Sequence, residues 1–206
     1  MKLAALILVS ACLAYADPGA SAQESTTGAQ DPAQPFNESG KTNVDGRAVS
    51  YLIRRLPVDS YPDLPETIAE VLKQRGCLIP QTYQAHHPEN VIHGSFEGTG
   101  SSDWGVLCSA HGKVDLLVFL NRNPSKPFTV ASQPELARIQ KHDSSGVFGF
   151  DWGIDSATPQ QVHEAQAGMK GHPPMLDHDA LMDTVLNEKT IYRFYAHNAW
   201  TVVDMP

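Results

Sequence analysis

The amino terminus sets the redox conditions in which the rest of this 206-residue chain folds, and so decides what its cysteines can do. Lys2 forms a short positive region, residues 3–13 an almost unbroken apolar run, and Ala14-Tyr15-Ala16 a small-x-small cleavage pattern ahead of Asp17. The run is too short to cross a bilayer, which takes about 20 residues. Residues 1–16 therefore read as an export signal, with no transmembrane segment. Val9-Ser10-Ala11-Cys12 also fits the tetrapeptide that precedes a lipid-modified cysteine, so a lipid anchor at Cys12 is the second reading of the leader. On either reading the chain is secreted or periplasmic, and Cys77 and Cys108 stay in the mature protein. An oxidising compartment and an even cysteine pair point to a Cys77–Cys108 disulfide.

The formal net charge of −8 argues against a general affinity for nucleic acid or anionic lipid, since both reward a basic surface. Residues 17–47 are rich in Ser, Thr, Gln, Asn, Gly and Pro and hold few bulky apolar side chains. Such a stretch buries too little apolar area to offset its ordering entropy, so it reads as a flexible polar linker. Residues 48–206 then form one domain of ordinary size.

Within that domain Pro65 to Gly76 has the marks of a helix. Pro65 lies in the first turn, Glu66 and Glu70 precede Lys73 and Arg75, and Gly76 suits the left-handed position after the last turn. The period then changes to two. Asn90 to Phe96, Trp104 to Ser109 and Val114 to Leu120 read as strands, and the last is apolar throughout, so both its faces should be covered. Trp104, Val106 and Cys108 share one face, toward the helix end that carries Cys77. Phe148, Phe150, Trp152 and Ile154 give one aromatic face of a further strand. Pro134 to Lys141, Thr158 to Ala167 and Asp179 to Asn187 show helical spacing, the last through Leu181/Val185 and Met182/Leu186. Thr190 to Ala196 and Trp200 to Asp204 flank a tight turn at His197-Asn198. The expected fold is α+β, with a mainly antiparallel sheet of about five to seven strands and several helices.

Several of these segments together resemble a group of uncharacterised exported bacterial proteins. The resemblance rests on Gly76-Cys77-Leu78-Ile79-Pro80-Gln81, on Asn90-Val91-Ile92-His93-Gly94-Ser95-Phe96 and on Asp103-Trp104-Gly105-Val106-Leu107-Cys108-Ser109. Glu188-Lys189 leading into an aromatic strand and a Trp-bearing last strand extend it. It implies a periplasmic or secreted setting and supplies no catalytic residue.

Four chemistries can be weighed on the residues. A thiol hydrolase would use Cys77 or Cys108 with His93 or His111 as base, against which stands the expected disulfide. Copper binding would draw on His172, Met175, His178 and Met182, since thioether and imidazole ligands suit that metal. The same residues also read as a Gly/Pro loop whose methionines fill gaps. Carboxylate catalysis would use Asp151 with Asp155, or Asp177, Asp179 and Asp183, all of which equally suit turns and caps. A binding module needs only exposed aromatic side chains or a strand edge, for which Tyr192, Tyr195 and Trp200 are the candidates. The leading expectation is a binding module, not an enzyme, that uses no cofactor and recognises a protein, glycan or envelope component. Periplasmic copper binding and hydrolysis are the alternatives.

Overall fold

A computed structural model describes residues 36–141, 144–171 and 173–206. The leader with Cys12, the linker up to residue 35 and His172 lie outside the described residues. The expected α+β class is overturned: the fold is mostly β, with 46% of the described residues in strands and two α-helices among them. Its strands form one mixed sheet of nine and a second, antiparallel sheet of four.

The chain opens with a hairpin, β1 (Glu38–Val44) and β2 (Arg47–Pro57), before helix α1 (Glu66–Gln74) and β3 (Leu78–Gln81). Then come β4 (Val91–Gly94), β5 (Asp103–Ala110), β6 (Lys113–Phe119), β7 (Phe128–Pro134), β8 (Ile139–Lys141) and β9 (Phe148–Phe150). These nine strands run in the order β7-β6-β5-β3-β2-β9-β8, with β1 on β2 and β4 on β5. The small sheet is β10 (Trp152–Ala157), β11 (Ala180–Val185), β12 (Lys189–Ala196) and β13 (Ala199–Val202), with helix α2 (Pro159–Ala165) between its first two strands.

The layers follow from the side chains. Ile68 and Leu72 of α1 pack with Ile79, Val106, Cys108, Leu117 and Phe119 on one face of the large sheet. On its other face Leu107, Leu116, Val118 and Leu120 meet Ile154, Leu181 and Tyr195 of the small sheet. The unbroken apolar run of β6 thus reflects burial on both sides, its odd and even positions serving different cores. Val162 of α2 covers Ala157 and Ala180 on the outer face of the small sheet.

Helix α1 ends as its sequence suggests: Gly76 has φ +70°, and the Cys77 N–H reaches back to the Leu72 carbonyl at 3.0 Å. That turn sets Cys77 against β5. The disulfide Cys77–Cys108 is present, with a Cα–Cα distance of 5.0 Å. Both sulfur-bearing residues are buried in the α1-side core.

Three readings of local structure change. The aromatic segment 148–154 is two strands: β9 belongs to the large sheet and β10 to the small one, with the break at Asp151. Phe150, Trp152 and Ile154 still share one direction, into the core between the sheets. Asp179 to Asn187 is the strand β11, not a helix, because the residues packed into the inter-sheet core and those packed under α2 are both apolar. Spacing of i,i+4 is an even step, which a strand keeps on one face as well as a helix does. Pro134 to Lys141 holds only a 3-10 turn at Glu135–Ala137 followed by β8. Glu135 is buried there, accepting from Arg55 and from the Ser109 hydroxyl, and that network fixes the turn. The polar stretch ahead of residue 48 is also not all linker, since β1 and the first residue of β2 fall inside it.

One side chain fastens the two sheets together. Asn90, with φ +68° and 1% exposure, donates to the Pro80 carbonyl at 2.7 Å and to the Trp152 carbonyl at 3.2 Å. Its Oδ1 accepts from the Ile154 N–H at 3.1 Å. Asn tolerates the left-handed region better than other non-glycine residues, so one residue serves both the turn into β4 and the bridge from β3 to β10.

Candidate functional site

Two clefts meet at Arg122, in the segment that joins β6 to β7. One, of about 560 Å³, is lined by Glu97, Asp177, His178 and the β12–β13 turn. The other, of about 330 Å³, is lined by Leu120, Lys126, Pro127 and Phe128. Both volumes fall in the range of small-molecule sites. The turn at their junction is built by His197 and Asn198, with φ +51° and +61°, the pair of left-handed conformations that a two-residue hairpin of this kind requires.

Arg122 is held on three sides. It pairs with Glu97 at 2.8 Å, donates to the Tyr195 hydroxyl and lies 5.6 Å from the centre of that ring. Tyr195 in turn packs edge-on to Phe128 and beside Trp200. His178 is buried and stacks on Phe194 with ring centres 4.2 Å apart. Its Nε2 donates to the Tyr195 carbonyl at 2.9 Å, and its Nδ1 meets the Asp177 carboxylate at 2.6 Å. Lys126 and Phe128 are left facing outward at the apolar end.

The structure thus brings together Tyr195, Trp200 and His178 of the residues singled out from sequence. Tyr192 is elsewhere, on the α2 side of β12 opposite Met182. Met182 packs in that same small core, and Met175 is half exposed. Among the described residues no three His, Cys, Asp or Glu side chains are placed to hold a metal ion.

The carboxylates considered for catalysis are tied to the scaffold. Asp183 accepts from the Trp152 indole at 2.7 Å and from Arg193 at 2.8 and 2.6 Å. Asp179 accepts from the Ser95 N–H, and exposed Asp155 from the Ser156 N–H. Asp151 is buried against Arg138 at 3.2 Å, and burial raises its carboxyl above the ordinary range against the opposing pull of that guanidinium. Cys77 and Cys108 are bonded to each other, so neither offers a thiolate to His93 or His111.

Sequence reasoning passed over Arg122, Glu97, Phe128 and Lys126. Each is an ordinary loop or edge residue in its own segment, and only the packing of the β6–β7 connection against the β12–β13 turn makes them neighbours. His197-Asn198 was the one local signal pointing there. Comparison with family models, with curated proteins and with solved structures returns no match. No described helix is long and apolar enough to cross a membrane.

Proposed function

We propose that this chain is an extracytoplasmic binding module without catalytic turnover, stapled by Cys77–Cys108, and that its ligand seats in the Arg122 clefts. The observation that carries this reading is the mutual engagement of Arg122, Glu97, Tyr195, His178 and Asp177. Side chains whose polar atoms are spent on one another form a rigid receptacle, and preorganisation of that kind lowers the ordering cost of binding. The export-like leader and the disulfide support the compartment.

The clefts favour one chemistry: an apolar body ending in a carboxylate, as a peptide C-terminus or an acyl chain offers. Leu120, Pro127 and Phe128 would cover the body, with Lys126 at its charged end. Amide chemical shifts of the oxidised protein should be followed during titration with two probes, hexanoate and a free-acid N-acetyl dipeptide with a C-terminal leucine, each against its amide. Saturable shifts at Leu120, Arg122 and Phe128 with the acids, weakened at least fivefold in Lys126→Ala, are expected. The probe that binds tells the source of the ligand. Equal shifts with acid and amide, or none with either probe, would reject the site.

A further inference from the structure

A second recess lies away from the Arg122 clefts, on the α1 side of the large sheet, where the chain between β2 and α1 faces β4 and β5. It has a volume of about 380 Å³, and its walls are Tyr61 with Pro62 on one side and Trp104 with His93 on the other. Antiparallel pairing of β4 with β5 sets His93 directly opposite Trp104, with ring centres 4.9 Å apart. Tyr61 is a fixed wall. Its hydroxyl donates to the Glu89 carbonyl at 2.7 Å and accepts from the Gln81 amide at 2.9 Å, and burial pushes its ionisation well above the usual tyrosine range.

The polar groups around this recess are turned to solvent and not to the protein. Buried Asp103, Glu135 and Asp183 all accept several hydrogen bonds from the protein. Here the Asp63 carboxylate, the Ser60 hydroxyl and the Trp104 indole N–H make no hydrogen bond among the described residues. His93 uses Nε2 on the Ser102 hydroxyl at 2.8 Å, while its Nδ1 has no partner. An accessible indole flanked by an unspent carboxylate and hydroxyl is the equipment for a ligand with both an apolar face and several O–H donors.

We propose that this recess is a saccharide subsite for a neutral or amino pyranose, with one sugar face laid on Trp104 and vicinal hydroxyls donating to Asp63. Aromatic grooves also accept proline-rich segments, whose carbonyls could take the Trp104 indole N–H but which, having no N–H at proline, cannot bond to the Asp63 carboxylate. Sugar hydroxyls can. The free carboxylate, on a chain of net charge −8, disfavours uronic acids by like-charge repulsion.

The test is an NMR titration of the full oxidised protein with N,N′,N″-triacetylchitotriose and with cellotriose, against trigalacturonate and a proline-rich decapeptide as contrasts. A saturable shift of the Trp104 indole N–H resonance with at least one neutral trisaccharide is expected, absent with trigalacturonate. Affinity should fall at least fivefold in Asp63→Ala, an exposed position whose loss leaves the unfolding midpoint unchanged. Lys126→Ala should leave saccharide binding intact. Silence of the Trp104 resonance toward both neutral sugars overturns the proposal, as does a response to the decapeptide alone or an Asp63→Ala protein that binds as well as the parent.

Discussion

Replacing Asn90 should cost far more than its single side chain suggests, because three hydrogen bonds between separate parts of the fold end on it. Alanine removes the bonds to the Pro80 and Trp152 carbonyls and from the Ile154 N–H in a fully buried place. At about 1 kcal/mol net for each bond the loss is about 3 kcal/mol. A non-glycine, non-Asn residue at φ +68° adds about 1 kcal/mol more. Asn90→Ala should therefore destabilise by about 4 kcal/mol, against typical domain stabilities of about 5–15 kcal/mol. Asn90→Gly loses the same three bonds without the backbone strain and should cost about 3 kcal/mol. Asn90→Asp is the sharper variant, since it keeps the acceptor but turns a carboxylate oxygen toward two carbonyls. Its folded-state pKa should lie above the unfolded value of about 3.9. The sign then follows: its extra penalty is absent below pH 4, grows as pH rises, and is complete above the folded pKa. Denaturant unfolding of the oxidised protein, followed by circular dichroism at pH 3.5 and pH 7, measures all three. A cost below 1 kcal/mol for alanine, or an aspartate variant more stable than the alanine variant at pH 7, would refute the account of Asn90 as a bridge.

Other expectations follow from the same geometry. Breaking the disulfide by Cys77→Ala should lower stability by about 3 to 4 kcal/mol, from the loop entropy of a 31-residue separation, and dithiothreitol should shift the parent but not the variant. Asp151→Asn removes a carboxyl that burial raises, so its stability relative to the parent should improve as pH climbs from 4 to 7; a pH-independent difference would show that this carboxyl does not resist ionisation. Gly94→Ala places a methyl group 2.8 and 2.9 Å from atoms of the fully buried Phe96 ring and should cost about 1–3 kcal/mol, while Gly98→Ala, which meets open space, should be nearly silent in the same melt.

The legible parts of this chain were those whose signal is local. Helix α1 carries its own start and stop, from Pro65 to Gly76, and β6 advertises its two covered faces by being apolar at every position. The cysteine pairing followed from the export-like leader and the even number of mature cysteines, with the face shared by Trp104, Val106 and Cys108 compatible with it. What misled was burial on two sides: in β11 it erased the alternation that marks a strand and left even-numbered spacings that imitate a helix. The β1–β2 hairpin did have a signal, Asp45-Gly46, which adopts φ +50° and +77° as a two-residue turn demands. Its flanks are polar because β1 is only partly covered, and that polarity reads as linker. The Arg122 clefts and the Trp104 recess depend on segments far apart in the chain, and no spacing rule reaches them.

The run from Phe148 to Ala157 contributes to both sheets, and this bears on how the molecule comes apart. Peeling away the four-stranded layer would pull on β9 and strip the core that the two sheets share, so the two layers should open together. Amide protons in β9 and β10 should accordingly exchange through a single opening with the full unfolding free energy. A cut at Asp151 would part the two sheets in sequence, yet each fragment would carry its half of the shared core bare, Leu107, Leu116 and Val118 on one and Ile154 and Leu181 on the other.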